Sequence, residues 1–345
     1  MATIKEIAKE CNVSIATVSN ILNNKGKVGE ETRRMVLEKI EKMNYVPNVA
    51  AKNLKQRTSK TIGIITEDLT VFNTPEIVDG IDECLEGRGY NFLLSNLRIY
   101  RKYGEDFYYH EKFKGHLEDE LEIMRANQVE GIIYVSAHSR NLSSTLVQDA
   151  SMPVAVVYGF AKDRDIPSVI FHDEEAAYVA VSRLLQVKTD RLGIIAGDSG
   201  SLHTSERLLG CQKAIYQTGI LYNPELVYYG DWSREFGYRA AAGLLEQGVN
   251  VLFSMNDNMA MGVYDYAMEK GLAIGRDIFV AGIGSQFGNI LRPKLLTVEM
   301  PLFEMGQKAG EIILDMIEGK VPLNGEVYKI EGRLLNDNEI SNGAY

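Results

Sequence analysis

The sequence predicts a small all-α domain at the N-terminus, followed by an α/β body of two lobes that each contain a parallel sheet. Three observations support this division. Apolar residues repeat at helical spacing in the first sixty residues, short β-rich apolar runs alternate with helical stretches from residue 61 onward, and the charge changes sign between the two parts. A chain of 345 residues with 45% hydrophobic content is long enough for two or three domains with substantial cores.

The two parts differ in charge. Residues 1–60 carry a formal charge of +6, whereas the whole chain carries -10, so the remainder carries -16. This asymmetry favours a small module that binds a polyanion, joined to an acidic body that does not. The start MATIKEIAKE lacks the features of a signal peptide, and no apolar run reaches about 18 residues. We therefore expect a cytoplasmic protein with no membrane partner.

The first part begins with two short helices joined by a tight turn. Thr3 and Glu6 have the spacing of a capping box, and the apolar residues that follow repeat at i, i+3, i+4 and i+7. After a turn at Asn12 and Val13, Ser14 can cap a second helix. This pattern predicts a helix-turn-helix, and the alternative is the second helix of an ordinary small bundle.

The second helix has one face that should not pack in the core. Val18 and Ile21 belong to its inward face, whereas Ile15, Ala16 and Asn20 point away from it. In a recognition helix, Ala and Ile can contact thymine methyl groups, and Asn can address adenine or a phosphate. Two hydroxyl residues of the same helix are suited to phosphate contacts, Thr17 and Ser19.

A third helix and a basic linker complete the first part. The helix opens with Glu30 and Glu31 and should end near Asn44–Pro47, with an apolar stripe in between. A short helical piece from Asn48 to about Lys55 follows. Its Leu54 either packs back on the third helix or acts as an apolar wedge in a minor-groove step.

The body repeats one order of elements. The segments that start with TIGIITED and RLGIIAGD both run strand, helix, Gly turn, strand, which predicts two similar parallel-sheet lobes. Ligands of such a pair bind where the carboxyl ends of the strands face each other across a cleft. Candidate cleft residues therefore follow strands: Phe72, Asn73, Thr74, Ser136 and His138 in the first lobe, and Arg207, Trp232, Asn256 and Asp257 in the second.

The chemistry of the second set suits a carbohydrate. Trp232 is the single tryptophan and directly follows VYYGD, where it can form an aromatic platform under a sugar ring, with a core aromatic as the alternative. Arg207, Asn256 and Asp257 offer donors and acceptors that can fix hydroxyl groups.

The run from Ile4 through TVSNILNN, the segment ETRRMVLEKIEKMNYVPNVAAKNL and the following TIGIITED resemble the LacI/GalR family of bacterial transcription regulators. The resemblance covers almost the whole chain. It implies that Ile15 and Ala16 occupy base-reading positions, that Asn20 is the next contact, and that Leu54 is the leucine that paired hinge helices insert at the centre of a palindromic operator. The further candidate DNA contacts are Thr3, Ser14, Asn23, Tyr45, Asn48, Ala51 and Lys55.

The same resemblance implies a body with the periplasmic-binding-protein type of fold, in which the chain crosses between lobes near Tyr158, Pro293 and Val321. The expected domains are a helix-turn-helix headpiece (1–47), a hinge helix and linker (48–60) and a two-lobed effector-binding and dimerisation domain (61–345). Lobe 1 should contain about 61–158 and 295–320, and lobe 2 about 159–292 and 321–345.

Two segments depart from the family pattern. After the strand IFVAG, many sugar-responsive members carry an aromatic residue and an aspartate, whereas this chain has Gly284, Ser285 and Gln286. Either Gly284 admits a bulkier ligand, such as a disaccharide or a phosphorylated sugar, or Ser285 and Gln286 replace the missing acceptor. Residues 98–120 are long and aromatic, and they either border the cleft or dimer interface or form an extended start of the helix that ends near Met124.

An enzymatic function is the less favoured alternative. The segment GIGSQFG follows a strand, but its third glycine is one residue late for a dinucleotide fingerprint. The five histidines have no metal-ligand spacing, and no nucleophile elbow or phosphate loop occurs. The three cysteines are far apart and predict neither a disulfide framework nor a zinc site. We therefore expect no catalysis, no metal and no cofactor.

Together these features predict a homodimeric transcription regulator, most simply a repressor. Its partners would be double-stranded operator DNA and a small sugar or sugar-phosphate effector. A protein corepressor that docks on lobe 1 is the alternative to the sugar. The chain ends at SNGAY without a heptad tail, which favours a dimer over a tetramer built on a C-terminal coiled coil.

Overall fold

A computed structural model describes most of the chain. It covers residues 2–22, 25–26, 28–45, 58–104, 112–143, 145–146, 152–161, 164–188, 191–284, 287–320 and 324–337. The chain divides into two compact units, Met1–Ser59 and Lys60–Tyr345, called the N-terminal unit and the body below. Each helix among the described residues is too short or too polar to cross a bilayer.

The N-terminal unit contains the expected helices α1 (Ile4–Glu10), α2 (Ile15–Leu22) and α3 (Glu30–Lys42). The capping box of α1 is confirmed, since the Thr3 hydroxyl accepts from the Glu6 amide and the Glu6 carboxylate accepts from the Thr3 amide. The three helices enclose a small core, whose fully covered apolar side chains are Ile7, Val18, Ile21 and Val36. An ion pair of 2.7 Å between Lys39 and Glu10 joins α3 to α1.

The body alternates strands and helices, as the sequence predicts. Its strands are β1 (Thr61–Thr66), β2 (Asn91–Asn96), β3 (Gly131–Val135), β4 (Val154–Val157), β5 (Ser168–Phe171), β6 (Leu192–Ala196), β7 (Val227–Tyr229), β8 (Val251–Ser254), β9 (Phe279–Ile283), β10 (Leu296–Glu299), β11 (Val327–Ile330) and β12 (Arg333–Leu335). Its helices are α4 (Thr74–Gly87), α5 (Ile99–Tyr103), α6 (Lys112–Ala126), α7 (Asp173–Val187), α8 (Leu202–Thr218), α9 (Arg234–Glu246), α10 (Asp257–Lys270) and α11 (Leu302–Ile317).

The strands form two separate sheets, one in each lobe. The sheet of lobe 1 has the order β11-β5-β4-β3-β1-β2 and that of lobe 2 the order β12-β10-β9-β8-β6-β7. Neighbouring strands are parallel in both sheets, except that β12 runs antiparallel to β10. The central strands β1, β3, β4, β6 and β8 are almost completely buried, as expected for parallel strands with helices on both faces.

The chain crosses between the lobes later than the sequence analysis expected. The first crossing lies between Phe171 and Asp173 instead of near Tyr158, because β5 pairs with β4 and with β11 in the sheet of lobe 1. The second lies between β10 and α11 instead of near Pro293, and the third between β11 and β12 instead of near Val321. The three crossings therefore lie about 14, 7 and 10 residues later than expected, and the expected lobe boundaries were wrong by these amounts.

The unusual segment 98–120 is not one extended helix. Short helix α5 follows β2 and ends before Gly104, whose φ is 62°, and the described part of α6 runs from Lys112 to Ala126. Ile99 is fully buried, and the Tyr100 hydroxyl contacts the imidazole of His138, which follows β3. The first part of the segment therefore borders the carboxyl end of the sheet of lobe 1.

Two glycines allow the helices that flank lobe 1 to approach closely. A Cβ atom on Gly80 of α4 would lie 2.0 Å from the carbonyl oxygen of Phe303, and one on Gly306 of α11 would lie 2.1 Å from that of Ile77. Because these neighbours are backbone atoms, the helices would have to separate to admit any side chain.

We expect Gly80→Ala to destabilise the body by about 1–3 kcal/mol, because the added methyl group forces α4 away from α11. Gly87→Ala on the same helix is the matched control, since a Cβ atom there meets nothing within 4 Å. Alanine favours a helix over glycine by up to about 1 kcal/mol, so the control should be neutral or stabilising. Urea unfolding of the two variants measures both effects, and equal losses at the two positions would contradict the close approach.

Candidate functional site

The amino-terminal turn of α2 presents an exposed face on a buried foundation. Val18 and Ile21 are buried in the core of the unit, whereas Ile15 is 45% exposed and Ala16 and Asn20 are also exposed. A partner that covers an exposed isoleucine gains about 25 cal/mol for each Å² of apolar surface that it removes from water. The structure thus places the predicted base-reading side chains on one accessible surface.

Hydroxyl groups fix the start of this helix. The Ser14 hydroxyl accepts from the Thr17 amide at 3.0 Å and lies 2.8 Å from the Thr17 hydroxyl. Thr3 caps α1 in the same way, and Tyr45 packs, half-buried, against the core at the end of α3. Ser19 is half-buried on α2. The other predicted DNA contacts, Asn23, Asn48, Ala51, Leu54 and Lys55, lie outside the described residues.

In lobe 1 a buried carboxylate organises the carboxyl end of the sheet. Glu67 directly follows β1 and is fully buried. It accepts from the Tyr134 hydroxyl and the Ala137 amide, both at 2.7 Å, and forms an ion pair with Arg140. Burial raises the pKa of Glu67, but Arg140 and these hydrogen bonds outweigh it and hold the pKa below its usual range. Glu67 therefore stays ionised. It was not among the predicted site residues.

The predicted lobe 1 residues surround this carboxylate. The Ser136 hydroxyl donates to Glu67 at 3.2 Å, and the Asn73 amide donates to the Ser136 carbonyl at 3.2 Å. The side-chain oxygen of Asn73 and the Thr74 hydroxyl are buried and have no hydrogen-bond partner among the described residues. Phe72 is 44% exposed, and its ring meets that of Tyr158 edge-on at 6.5 Å.

His138 is held neutral by its surroundings. Burial lowers its pKa to about 4, and the neighbouring His203 lowers it further than Glu67 raises it. Its ring also meets that of Tyr100 at 5.8 Å between centroids. The imidazole is therefore uncharged at neutral pH.

In lobe 2 a second buried carboxylate contacts an arginine and a histidine side chain. Asp173 is the first residue of α7, and its two oxygens accept from Arg207 Nε at 2.7 Å and contact His203 Nδ1 at 2.8 Å. The Arg207 guanidinium also donates to the Met255 carbonyl. Burial raises the pKa of Asp173, but His203 and Arg207 outweigh it and keep the pKa below its usual range. Arg207 was predicted, whereas Asp173 and His203 were not.

The two lobes contact each other directly at His203. The backbone amide of Ser139, which belongs to lobe 1, donates to His203 Nε2 at 3.4 Å. The rings of His203 and Tyr158 lie 5.4 Å apart between centroids. We call the polar side chains around this contact, Glu67, Asn73, His138, Asp173, His203 and Arg207, the interlobe site.

Trp232 lies beside the interlobe site in lobe 2. Its half-buried indole packs on Gly197, where a Cβ atom would lie 2.0 Å from the ring, and Arg207 lies 5.8 Å from the ring centroid. Its carbonyl oxygen accepts from the amides of Asn256 and Asn258, both at 3.1 Å. The Asn256 side chain also caps α10, so it is already engaged within lobe 2.

Asp257 occupies a pocket of lobe 2 under the segment that follows β9. Its carboxylate accepts from the Thr297 hydroxyl at 2.9 Å and from the amides of Phe287 and Gly288 at 3.4 and 3.1 Å. A Cβ atom on Gly284 would lie 2.4 Å from its carboxyl carbon, so the glycine of this unusual segment makes room for Asp257. Ser285 lies outside the described residues. A ligand contact for Asp257 stays a prediction, and its visible partners belong to the protein.

The predicted cleft residues thus come together at the facing edges of the two sheets, while the buried acids Glu67 and Asp173 escaped the sequence analysis. The sequence nevertheless contains a pattern that indicates both acids. Each acidic residue comes one or two positions after a buried strand, in TIGIITED and SVIFHD, where burial demands a partner.

Comparison with known proteins gives consistent matches for both units. Residues 3–48 match the model "Bacterial regulatory proteins, lacI family", and residues 59–336 match "Periplasmic binding proteins and sugar binding domain of LacI family". The chain is 30% identical to the HTH-type transcriptional regulator RegA of Clostridium saccharobutylicum over 342 residues, which cover 97% of this chain and 98% of the relative.

Two solved structures share the fold over nearly the full chain. The Lac repressor dimer bound to operator and the anti-inducer ONPF is similar with a TM-score of 0.77 at 22% identity, over 96% of this chain and 97% of that one. The transcriptional regulator CelR in complex with cellobiose is similar with a TM-score of 0.64 at 24% identity, over 97% and 98%. The expected fold class, a helix-turn-helix domain with a periplasmic-binding-protein-like body, is thereby confirmed.

The lowered pKa of His138 predicts a loss of stability in acid. Its pKa is about 4 in the folded protein and 6.5 in the reference state, so the unfolded chain takes up this proton first as the pH falls. The contribution of His138 to stability is complete above pH 6.5 and is lost progressively down to pH 4. The full loss is at most about 3 kcal/mol.

Thermal melts between pH 7 and pH 4.5 test this expectation. In His138→Gln the decline should be shallower than in the wild type, because the variant has no imidazole to protonate in the unfolded state. Parallel profiles for the wild type and His138→Gln would contradict the assignment.

Proposed function

This chain belongs to the lacI family of bacterial regulatory proteins, and from that premise we propose that it is a homodimeric DNA-binding transcriptional repressor controlled by a small carbohydrate-like effector. The observation that carries the DNA-binding part is the exposed face of α2, with Ile15 and Ala16 outside a closed core. The relatives are named as transcription regulators, and the proposal includes no catalytic activity. The proposed place of action is the cytoplasm, where operator DNA lies.

In the proposed DNA recognition, some residues attract the phosphates and others read the base sequence. The +6 charge of residues 1–60 supplies attraction to phosphates, which lowers the log-log salt slope by roughly 0.9 for each contact. Ile15 and Ala16 offer only apolar surface, which discriminates thymine by its methyl group in the major groove. Leu54 is proposed as the minor-groove wedge of a palindromic operator, which a symmetric dimer would bind as two half-sites.

Exchanging the apolar pair should change which operator is read. We expect Ile15→Ser with Ala16→Gln to alter the sequence preference, at a cost of about 1–3 kcal/mol on the original site. Selection from random DNA, followed by affinity measurements at fixed salt, gives both results. An unchanged preference would remove the pair from the base-reading surface.

The control replaces an equally exposed apolar residue elsewhere on the unit. Leu37 of α3 is 44% exposed, close to the 45% of Ile15. Leu37→Ser should leave the preference unaltered, which separates loss of a specific contact from loss of an exposed apolar group.

The effector is proposed to bind at the interlobe site. His203, Asp173 and Arg207 are each less than 10% exposed in this conformation, so a ligand reaches them only when the lobes separate. An effector shifts a conformational equilibrium only if its free energy of interaction differs between the two states. A ligand held by lobe 2 through Arg207 and Trp232 meets this condition if it contacts lobe 1 differently when the lobes are apart.

Trp232→Ala should weaken effector binding on the order of tenfold, because a stacking surface is lost. Operator affinity without effector should be nearly unchanged, since the carbonyl that holds Asn256 and Asn258 remains. Operator binding is measured across titrations of cellobiose, sucrose and trehalose. Tyr229→Ala, at a 49% exposed aromatic residue of β7, is the matched control. An unshifted midpoint in folded Trp232→Ala would exclude the indole from the effector site.

A further inference from the structure

The cations of the interlobe site are already paired with carboxylates. Arg207 is 3% exposed, and its Nε donates to Asp173 at 2.7 Å while its Nη1 donates to the Met255 carbonyl. On the other lobe, both terminal nitrogens of Arg140 are directed at the carboxylate of Glu67. Each guanidinium charge that the described residues bring to this site is therefore offset by a buried carboxylate.

The two histidines of the site are also held by neighbouring groups. His203 Nε2 accepts from the Ser139 amide at 3.4 Å, and its Nδ1 lies 2.8 Å from an Asp173 oxygen. Both ring nitrogens of His203 are therefore engaged within the protein. His138 is neutral, since burial lowers its pKa to about 4.

Asp257 is a further ionisable group close to Arg207. Burial raises its pKa, although Thr297, two backbone amides and the charge of Arg207 partly stabilise its charged form and so lower the pKa. The charges of the two arginines, Glu67 and Asp173 sum to zero, and Asp257 adds zero if it is protonated and -1 if it is ionised. These five side chains therefore supply no excess of positive charge.

The buried polar atoms without a hydrogen-bond partner among the described residues are suited to bind ligand hydroxyl groups. The Asn73 side-chain oxygen and the neighbouring Thr74 hydroxyl are buried and unsatisfied among the described residues. The Asn73 amide nitrogen is engaged with the Ser136 carbonyl, which fixes its oxygen as an acceptor. An acceptor of this kind attracts a ligand O–H and repels a phosphate oxygen.

We propose that the interlobe site selects an uncharged, hydroxyl-rich ligand, and that Asp173 is the residue that sets this selectivity by neutralising Arg207. The inference rests on the proposed effector function of the site and narrows it, because it excludes the phosphorylated sugar that the sequence left open. An anion beside Arg207 would lie next to the carboxylate of Asp173. It would lose its hydration shell without gaining an unpaired positive charge.

Two exposed arginines near the site are the rival location for an anion. Arg98 and Arg101 line a cavity of about 310 Å³ at the carboxyl end of β1 and β2, together with Asp68. Binding of phosphate there would not depend on Arg207. A test must therefore separate the two places.

The first experiment measures the melting temperature of the wild-type chain with inorganic phosphate, against chloride at equal ionic strength. It then compares glucose, sucrose and trehalose with their 6-phosphate esters. A bound ligand stabilises the protein by RT ln(1 + [L]/Kd). We expect no saturable response to phosphate and no larger response to any ester than to its parent sugar. A saturable phosphate response, or a preference for an ester, would overturn the proposal.

The second experiment removes the negative charge that is paired with Arg207. In Asp173→Asn the buried guanidinium loses its counter-charge, and phosphate affinity should rise on the order of tenfold or more through a charge-assisted hydrogen bond. Asp265→Asn is the matched control, because it removes the same charge but frees Arg234, whose side chain is 54% exposed. The control should gain little, since exposed ion pairs are weak and screened.

A double variant assigns the response to Arg207. Asp173→Asn combined with Arg207→Gln restores a neutral pair and should lose the gain in phosphate affinity. A gain that persists in the double variant, or equals that of Asp265→Asn, would overturn the proposal. If Asp173→Asn does not fold, the wild-type comparison alone decides.

The outcomes also separate this inference from the proposed effector function. If no sugar of either kind stabilises the wild type, the carbohydrate effector fails, while the phosphate response of Asp173→Asn still tests the charge pairing. If sugars bind and Asp173→Asn gains no phosphate affinity, the effector function stands and Asp173 does not set the selectivity.

Discussion

The carboxylate of Asp173 is the constraint on which the interlobe site depends. It is buried at the start of α7, immediately after the chain first enters lobe 2, and it holds Arg207 and His203 on its two oxygens. His203 Nε2 in turn accepts a hydrogen bond from the Ser139 amide of lobe 1. The position of the first crossing, the direction of the guanidinium and the contact between the lobes therefore share one anchor. Removing one partner of such a buried pair typically costs about 3–5 kcal/mol, because the other charge stays buried without compensation.

Local patterns were sufficient for much of the fold. The capping box of Thr3 and Glu6, the Ser14 cap and the core stripe through Val36 follow from spacing alone, and the structure contains each of them. The alternation of apolar runs and helical stretches correctly indicated a parallel α/β body. These features depend on neighbours in sequence, which is why they can be read without knowledge of the tertiary structure.

The crossings and the buried ionic partners depend on distant residues. The strand Ser168–Phe171 is as apolar as any strand of lobe 2, so its composition does not say which sheet it joins, and only pairing with β4 and β11 settles this. Arg207 was recognised as a candidate ligand residue, but its partner Asp173 is 34 residues away. A sequence shows that a buried arginine requires a counter-charge without showing which acid supplies it.

The pairing of charges also determines which interactions can couple a bound ligand to the arrangement of the two lobes. Coulomb attraction between lobes would act over several ångströms and persist as they separate, whereas a hydrogen bond weakens steeply once its geometry is lost. The described contact between Ser139 and His203 is of the second kind, since it joins a backbone amide to a ring nitrogen. A ligand that supplies hydroxyls to both lobes would add further bonds of the same short range. Coupling of about 1–3 kcal/mol, as is typical between linked sites, needs only one or two such bonds to differ between the states. With its carboxylates and guanidinium groups paired inside each lobe, the interlobe site leaves directional hydrogen bonds as the means by which a ligand distinguishes the two arrangements.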